Sequence, residues 1–394
     1  MRLVVVGAGI FGVTAARELA RRGHRVTLLE AGRAPDPAAA STDISKVCRM
    51  EYGGDVGYMR AMERARAGWL AWNEGWRARG ADELYHECGV VMVRRSALQA
   101  GDFERESFRL LEERGHAPER LDADAIARRF PAWKPGAYVD GFFHAHGGWA
   151  ESGRVVETLL GELGELGVEV RESTAVSGLR LEGGRVRGVR TALGEEEPAD
   201  AVVLTAGSWT HELLGELDGP LRATGHAIFH LRPAEPELFR AERFPVFTAD
   251  IARTGFYGFP LHPGHGVVKI ALHDEGLRLR GERPTDVTAE QRAKLATFLE
   301  ETFPSLVDAE VVSTRLCPYS DTQDQHFWIA RHPEHDNVTV AAGGSGHGFK
   351  FAPVLGEWTA DAVEGVANEE LERFRWRHDL RLDRGLEEAR LQGE

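Results

Sequence analysis

Leu3-Val4-Val5-Val6-Gly7-Ala8-Gly9-Ile10-Phe11-Gly12 is an apolar run that breaks into glycines spaced Gly-x-Gly-x-x-Gly. Val13, Ala16, Leu19 and Ala20 follow at helical spacing, Gly23 marks a stop, and a second apolar run, Val26-Thr27-Leu28-Leu29, ends on Glu30. Strand, glycine turn, helix, strand and acid, in that order, are the parts of a dinucleotide-binding βαβ unit. Gly7 permits the tight turn, Gly9 leaves the backbone open to a pyrophosphate, and Gly12 lets the helix lie close on the strand. The helix amino terminus, from Ile10 and Phe11 onward, turns N–H groups and a positive dipole end toward the phosphates. Glu30 can accept from both ribose hydroxyls, and its charge disfavours a 2′-phosphate.

The rest of the chain bounds that reading. With 394 residues it has room for two domains around two cores. Its 48 basic and 62 acidic residues leave a net charge of −14, which argues against nonspecific nucleic-acid binding, although local positive patches can still hold small acids. No apolar run approaches the ~20 residues needed to span a membrane. The sequence starts on what reads as a core strand, leaving no room for a signal peptide. Cys48, Cys88 and Cys317 are odd in number and widely spaced, which fits a reducing cytoplasm rather than a disulfide framework or zinc site.

Beyond Glu30 the pattern predicts a Pro-rich loop at Ala34-Pro-Asp-Pro, a polar irregular stretch from Ser41 to Gly57, and a helix from Tyr58 to Arg79. Gly89-Val-Val-Met-Val reads as a strand. Residues 102–130 read as helical, charged surface. His144 and His146 lie between glycines in Gly141–Gly148; they look like a metal pair, but no third ligand accompanies them, and the reading is no metal. A helix is expected over 153–166. Val168-Glu-Val, Val176–Leu181 and Val186–Thr191 then read as a short antiparallel set turning at Gly183-Gly184. Asp200-Ala-Val-Val-Leu-Thr-Ala-Gly207 reads as a buried strand ending on small residues, Ala206 and Gly207, where a return strand meets a ligand. Residues 220–320 are rich in aromatics, prolines and alternating runs, which predicts an antiparallel sheet with a helix from Thr288 to Glu301. Val338-Thr-Val-Ala-Ala returns as a strand, runs into Gly343-Gly-Ser-Gly-His-Gly348, and a helix is expected from Pro353. The expected division is a discontinuous nucleotide-binding domain (1–85 with 141–215 and 320–394) and a substrate domain (86–140 with 216–319). The fold class is α/β, a Rossmann-type domain plus an antiparallel-sheet domain.

NAD and FAD both fit the first unit, and three later features favour FAD. The Gly343–Gly348 loop is a second glycine-rich turn before a helix, able to bring N–H groups and a positive field to the pyrimidine edge of a flavin. An antiparallel sheet suits the roofing of a flavin face. The third feature is Cys317, in Leu316-Cys-Pro-Tyr-Ser-Asp-Thr-Gln-Asp-Gln-His-Phe.

That segment, together with His332-Pro-Glu-His, Gly343-Gly-Ser-Gly-His-Gly-Phe-Lys-Phe, and Tyr257-Gly-Phe-Pro followed by Lys269 and His273, resembles the monomeric sarcosine oxidase and N-methyl amino acid oxidase branch of the D-amino-acid-oxidase-like flavoproteins. The resemblance covers nearly the whole chain. It implies that Cys317 is bonded through sulfur to the 8α carbon of FAD. Lys269 is implied to lie over the flavin N5 edge and activate O2. Arg49 and Lys350 are implied to hold a substrate carboxylate, and Tyr319, Tyr257 and His273 to line the substrate side. On the cofactor side it implies Gly7, Gly9, Ile10, Phe11, Gly12, Glu30, Ser41, Lys46, Ala206, Gly207, Cys317, Gly344, Gly346, His347, Gly348, Phe349 and Lys350. One stretch departs from the sarcosine oxidases: Ser41-Thr-Asp-Ile-Ser-Lys-Val-Cys-Arg49 has Thr42 near the family histidine and Lys46 where an additional arginine stands. Asp-Ile-Ser-Lys is closer to the fructosyl amino acid, saccharopine and pipecolate oxidase relatives.

The implied reaction is oxidation of the C–N bond of a carboxylated secondary amine (sarcosine-like, N-alkyl or N-fructosyl amino acid, or cyclic imino acid) to an imine, with O2 reduced to H2O2. A flavin dehydrogenase, a biosynthetic oxidase acting on a cyclic imine or amine, a non-catalytic flavin-binding module and an NAD dehydrogenase are the competing readings. The expected partners are the small-molecule amine and O2, with no nucleic acid and no membrane, in a cytoplasmic monomer or small homo-oligomer.

Overall fold

The computed structural model describes residues 1–279 and 286–377; the expected domain segments 216–319 and 320–394 include positions outside that range. The first thirty residues form the unit their pattern dictates: strand Arg2–Val6, helix Ile10–Arg21, strand Arg25–Leu29. These strands are the middle of a six-stranded sheet ordered Trp328–Arg331, Val338–Ala342, Ala201–Leu204, Arg2–Val6, Arg25–Leu29, Glu169–Arg171. All neighbours run parallel except the edge strand Trp328–Arg331. Buried on both faces, its strands are near-continuous Val, Leu and Ala, as parallel sheets require. Helices Ile10–Arg21, Val56–Ala78, Ser152–Glu165 and Ala352–Glu364 cover one face, packing through Val13, Ala16, Leu19, Trp69, Leu159 and Leu355. Val186 and Val189 of a small antiparallel sheet cover the other.

The second large element is a nine-stranded sheet. Two long strands, Leu221–Arg232 and Glu310–Thr322, pair antiparallel along their length. The sheet then continues through Val268–Leu272, Phe256–Phe259, Val246–Ala249, Val90–Arg94 and Asp140–His144 to Glu119–Asp122. Alternation gives it two unlike faces. Ala227, Phe229, Leu231, Val268, Ile270 and Leu272 enter an apolar core with Phe256, Phe298 and Phe303. The residues between them, His226, Ile228, His230, Lys269, Ala271 and His273, share the opposite face with Tyr257, Cys317 and Tyr319, since Ile228 and Tyr257 both pair with Ala271, His230 with Lys269, and His226 with Cys317.

Several sequence expectations need correction. The sheet is mixed, because Val246–Ala249 runs parallel to Val90–Arg94. Val168-Glu-Val does not join the small antiparallel set. It becomes Glu169–Arg171, the parallel edge of the six-stranded sheet, returned there by helix Ser152–Glu165. Residues 102–130 are not one charged surface helix: Phe103–Glu113 is a helix, Glu119–Asp122 a strand and Ala123–Arg129 a helix, and Phe103, Phe108, Leu110 and Leu111 are buried. Gly115, at φ +82, ends the first helix. The stretch Gly141–Gly148, to which the sequence pattern assigns no element, carries parts of strands Asp140–His144 and Gly148–Ala150. The expected domain edge at 140–141 falls inside the first of these. A 3-10 turn, Phe349–Phe351, separates the Gly343–Gly348 loop from the helix Ala352–Glu364.

Candidate active site

A cavity of about 350 Å³ runs from the first glycine turn to the Gly343–Gly348 loop. At one end its wall is built by Gly7, Gly9, Ile10, Phe11, Glu30 and Ser41 with Ala206 and Gly207. At the other end stand Lys46, Tyr319, Gly344, Gly346, Gly348 and Phe349. The glycines divide by what confines them. Gly7 has φ +102, and a Cβ there would sit 2.7 Å from the Thr205 carbonyl oxygen; a Cβ at Gly12 would sit 1.8 Å from the Gly7 carbonyl oxygen. The protein itself therefore requires those two, and Gly12 is behind the cavity rather than on it. At Gly9 a Cβ would meet only Ser41 Oγ, at 3.3 Å, and would project toward open space. A ligand lying against the backbone explains that glycine. Glu30 is fixed by two backbone donors, Ala8 N–H at 2.8 Å and Gly32 N–H at 3.1 Å. Ser41 Oγ accepts the Ile10 N–H at 2.9 Å, so that helix-terminal donor is already engaged.

At the far end, Gly346 takes φ +76, and its missing side chain gives the Tyr319 ring its place: a Cβ would lie 2.2 Å from that ring. Ser345 pins the loop to the long strand, its N–H donating to Ser320 O at 2.9 Å and its hydroxyl accepting from Thr322 N–H at 3.1 Å. His347 differs from expectation. Its ring pairs with the Tyr52 hydroxyl at 3.0 Å and the Gln325 carbonyl at 2.9 Å, packs on Phe327, and does not line the cavity.

Cys317 is fully buried on the polar face of the large sheet, with Lys46 Nζ 3.3 Å from its sulfur. Burial alone would lower the Lys46 pKa; Cys317 and Asp43 beside it raise it instead. The other two thiols sit elsewhere, and burial pushes Cys88 up to about 11 and Cys48 higher still, as inert core thiols.

Lys269 is 1% exposed. Its ammonium donates to Asp43 Oδ2 at 2.5 Å and to the Ser45 carbonyl at 2.6 Å, and lies 4.6 Å from the Phe259 ring centroid. Burial pushes its pKa down to about 8 against the opposing pull of Asp43. Burial alone would raise the Asp43 carboxyl, but Lys269, with His230 and Lys46, holds it well below the usual carboxylate range.

Arg49 and Lys350 arrive from distant parts of the chain, one just past strand Lys46–Cys48 and one on the Phe349–Phe351 turn. Both are buried and both lie against Tyr52: the Arg49 Cζ is 5.4 Å and the Lys350 Nζ 4.8 Å from its centroid, with Phe103 also 5.4 Å from Arg49 Cζ. Two buried cations that both contact one ring are a candidate site for an anion. Nearby, the Tyr257 and Tyr319 hydroxyls are 3.4 Å apart. His273 lies 6.4 Å from Tyr257 and 6.0 Å from Tyr319, ring to ring. His226 stacks on Tyr319 at 3.9 Å and 22°.

The sequence reading missed Asp43, Tyr52 and His226. His226 is signalled by alternation in Thr224–His230, where it shares a face with His230. Asp43 stands in the Asp-Ile-Ser-Lys motif without an assigned partner, because Lys269 is remote in sequence. His144 belongs to the fold: it is fully buried and hydrogen-bonded through Nδ1 to Glu51 Oε1 at 2.9 Å. Among the described residues no group of three or more His, Cys, Asp or Glu could hold a metal ion, and no helix is long and apolar enough to cross a membrane.

Residues 2–362 match the family described as FAD dependent oxidoreductase. The chain is 28% identical over 361 residues to the monomeric sarcosine oxidase of Bacillus sp. (strain B-0618), covering 90% of each chain. It is 29% identical over 386 residues to the N-methyl-L-tryptophan oxidase of Salmonella arizonae, covering 95% of this chain and 97% of that one. The crystal structure of the fructosamine oxidase Amadoriase II from Aspergillus fumigatus superimposes with a TM-score of 0.85 at 25% identity, covering 100% of this chain and 93% of that one.

Proposed function

The chain belongs to the FAD dependent oxidoreductase family, and from that premise we propose that it oxidises the C–N bond of a carboxylated secondary amine with O2 as acceptor. The observation that carries the substrate class is the pairing of Arg49 and Lys350 on Tyr52. The cavity fits an adenine dinucleotide: an open glycine backbone at Gly9, a fixed carboxylate at Glu30 and a helix amino terminus meet at one end of it. Gly7–Phe11, Glu30, Ser41, Ala206 and Gly207 would hold the adenosine and pyrophosphate part. Lys46, Tyr319, Gly344, Gly346, Gly348 and Phe349 would hold the ring, and Cys317, next to the lining residue Pro318 and against Lys46, would be its covalent tether. When bound there, FAD would supply the two-electron chemistry, accepting a hydride equivalent from the carbon beside nitrogen and returning two electrons to O2, with imine and H2O2 as the products.

The protein residues supply position and field. Arg49 and Lys350 bind the carboxylate through charge-assisted hydrogen bonds and so set the amine against the ring. Their positive charge, in a buried site, lowers the amine pKa and favours its neutral form. Tyr257, Tyr319 and His273 shape the side on which the nitrogen substituent lies. Lys269, a buried cation on the same sheet face, stabilises negative charge developing on O2. The relatives named for sarcosine, N-methyl-L-tryptophan and fructosamine bracket the substrate class. Asp43-Ile-Ser-Lys46 inclines the reading toward substrates with a larger nitrogen substituent than methyl.

A peroxide-coupled screen over sarcosine, N-methyl amino acids, fructosyl amino acids, pipecolate, proline and saccharopine tests the proposal. Turnover with H2O2 release on at least one carboxylated secondary amine is expected. Turnover only with an artificial electron acceptor would move the reading to a dehydrogenase.

A further inference from the structure

Lys269 is held more tightly than a lysine meeting only a cofactor and a gas needs to be. Two of its three donors are already spent on protein, on Asp43 Oδ2 and the Ser45 carbonyl. Asp43 is itself 2% exposed at the side chain and is fixed from several sides. Its Oδ1 accepts the Ile44 N–H at 2.8 Å and lies 3.3 Å from His230 Nε2. Its backbone carbonyl takes the Ser152 hydroxyl at 2.8 Å and the Gly153 N–H at 2.9 Å. His230 is braced in turn by Ser313 Oγ at 2.8 Å, across the pair of long strands. Arg315 donates to the Thr42 carbonyl and, at 3.1 Å, to the Ala39 carbonyl, clamping the chain just before Asp43.

Resting on the reading of Lys269 as the O2-side cation, we infer that Asp43 is its positioning residue: the carboxylate fixes the ammonium on the sheet face and keeps it charged, and thereby sets the reactivity with O2. Charge arithmetic in the pocket supports this. Asp43 is the acid that faces a buried group of bases made of Lys269, Lys46 and His230, with Arg315, Tyr257 and Cys317 around it. A lysine in so dry a place loses its proton unless an anion offsets the desolvation. With Asp43 present its pKa stays near 8, so it is a cation at neutral pH. With the carboxylate replaced by an amide, the ammonium keeps the Ser45 carbonyl and the Phe259 ring but faces Lys46 without its close counter-charge. The same segment caps the nucleotide helix through Ser41, touches the Cys317 thiol through Lys46 and ends at Arg49. Asp43 adds the O2 side to what that single stretch aligns.

The test uses the flavin-containing protein as purified, reduced by light and mixed with aerated buffer, so that no substrate need be known. Asp43→Asn should keep its flavin and reoxidise roughly tenfold more slowly at pH 7, because losing a close counter-charge moves a pKa by about 1–3 units. The wild-type rate should fall as pH rises through about 8; in Asp43→Asn that fall should move at least about one unit lower. Asp43→Asn/Lys269→Met should reoxidise no more slowly than Lys269→Met, and a double-mutant cycle in denaturant should show the two positions coupled. Asp43→Glu, which keeps the charge, should recover most of the rate, and it serves as the reporter if the amide variant folds poorly. A slow Lys269→Met with a wild-type rate and pH profile in Asp43→Asn overturns the inference alone. A Lys269→Met that reoxidises like wild type overturns the assignment of the lysine, and the inference with it.

Discussion

Lys46 Nζ stands 3.3 Å from Cys317 Sγ, a buried thiol whose other polar neighbour is the Ala40 carbonyl at 3.8 Å. Cys48 is a buried thiol whose pKa burial pushes up despite Lys350; a lysine in direct contact with sulfur marks a different use. The expected outcome is that flavin stays with the chain after acid precipitation, and that Cys317→Ser releases it to the supernatant while still binding it in the native state. Flavin remaining attached in Cys317→Ser would place the bond at another residue.

Arg49 and Lys350 share the Tyr52 ring, so each should contribute to holding one carboxylate. Arg49→Ala should raise KM for carboxylated amines about 10- to 1,000-fold, the range for losing a buried charged contact. Tyr52→Phe keeps the ring face and loses the hydroxyl bond to His347, so its KM should stay within a few-fold of wild type. Tyr52→Leu removes a cation–π contact worth about 0.5–2 kcal/mol to each cation and should raise KM with a smaller change in kcat. Steady-state kinetics on the best substrate of the screen decides. Equal KM values for Tyr52→Leu and Tyr52→Phe would remove the ring from the account.

How much of this was legible depends on sequence distance. The βαβ unit can be read within thirty residues because its turn, helix and two apolar runs are local signals. Lys269 stands out as a cation inside Val267–Leu272, and the sheet explains it: Lys269, Ala271 and His273 alternate onto the site face while Val268, Ile270 and Leu272 enter the core. Its partner Asp43 is hidden, since nothing local in Asp-Ile-Ser-Lys says what the carboxylate meets. Tyr52 is hidden in the same way, because its meaning lies in two cations delivered by separate segments. Glu169–Arg171 reads as a hairpin neighbour from spacing, yet the preceding helix carries it to the parallel sheet, where tertiary packing overrides the short-range pattern.

The two closely spaced glycines of the first turn should fail differently. Gly12→Ala forces a methyl within 1.8 Å of the Gly7 carbonyl oxygen, inside the strand–helix contact. Little folded protein is expected from it. Gly9→Ala meets only Ser41 Oγ at 3.3 Å, so that variant should fold, with an unchanged far-ultraviolet spectrum, but purify with much less flavin. Full flavin content in Gly9→Ala would show that no ligand lies against that backbone.

Glu104 supplies a pH effect on stability that the site chemistry does not share. It is 1% exposed on the helix whose first residue, Phe103, supports Arg49. Burial raises its pKa from 4.5 to about 7, with Arg94 Nη1 3.5 Å away only partly countering. The folded chain therefore keeps this proton up to about pH 7, while the unfolded chain releases it near 4.5. Between those values the folded state binds more protons, so stability falls as pH rises through the window and stays lost above it. The loss is on the order of 3 kcal/mol for a shift of this size. Glu104→Gln cannot ionise and fills nearly the same space. It should raise the denaturant midpoint at pH 8 clearly more than at pH 5, and flatten the profile between. An equal change at both pH values would mean that Glu104 is already ionised in the folded chain at neutral pH, with Arg94 rather than burial governing its proton.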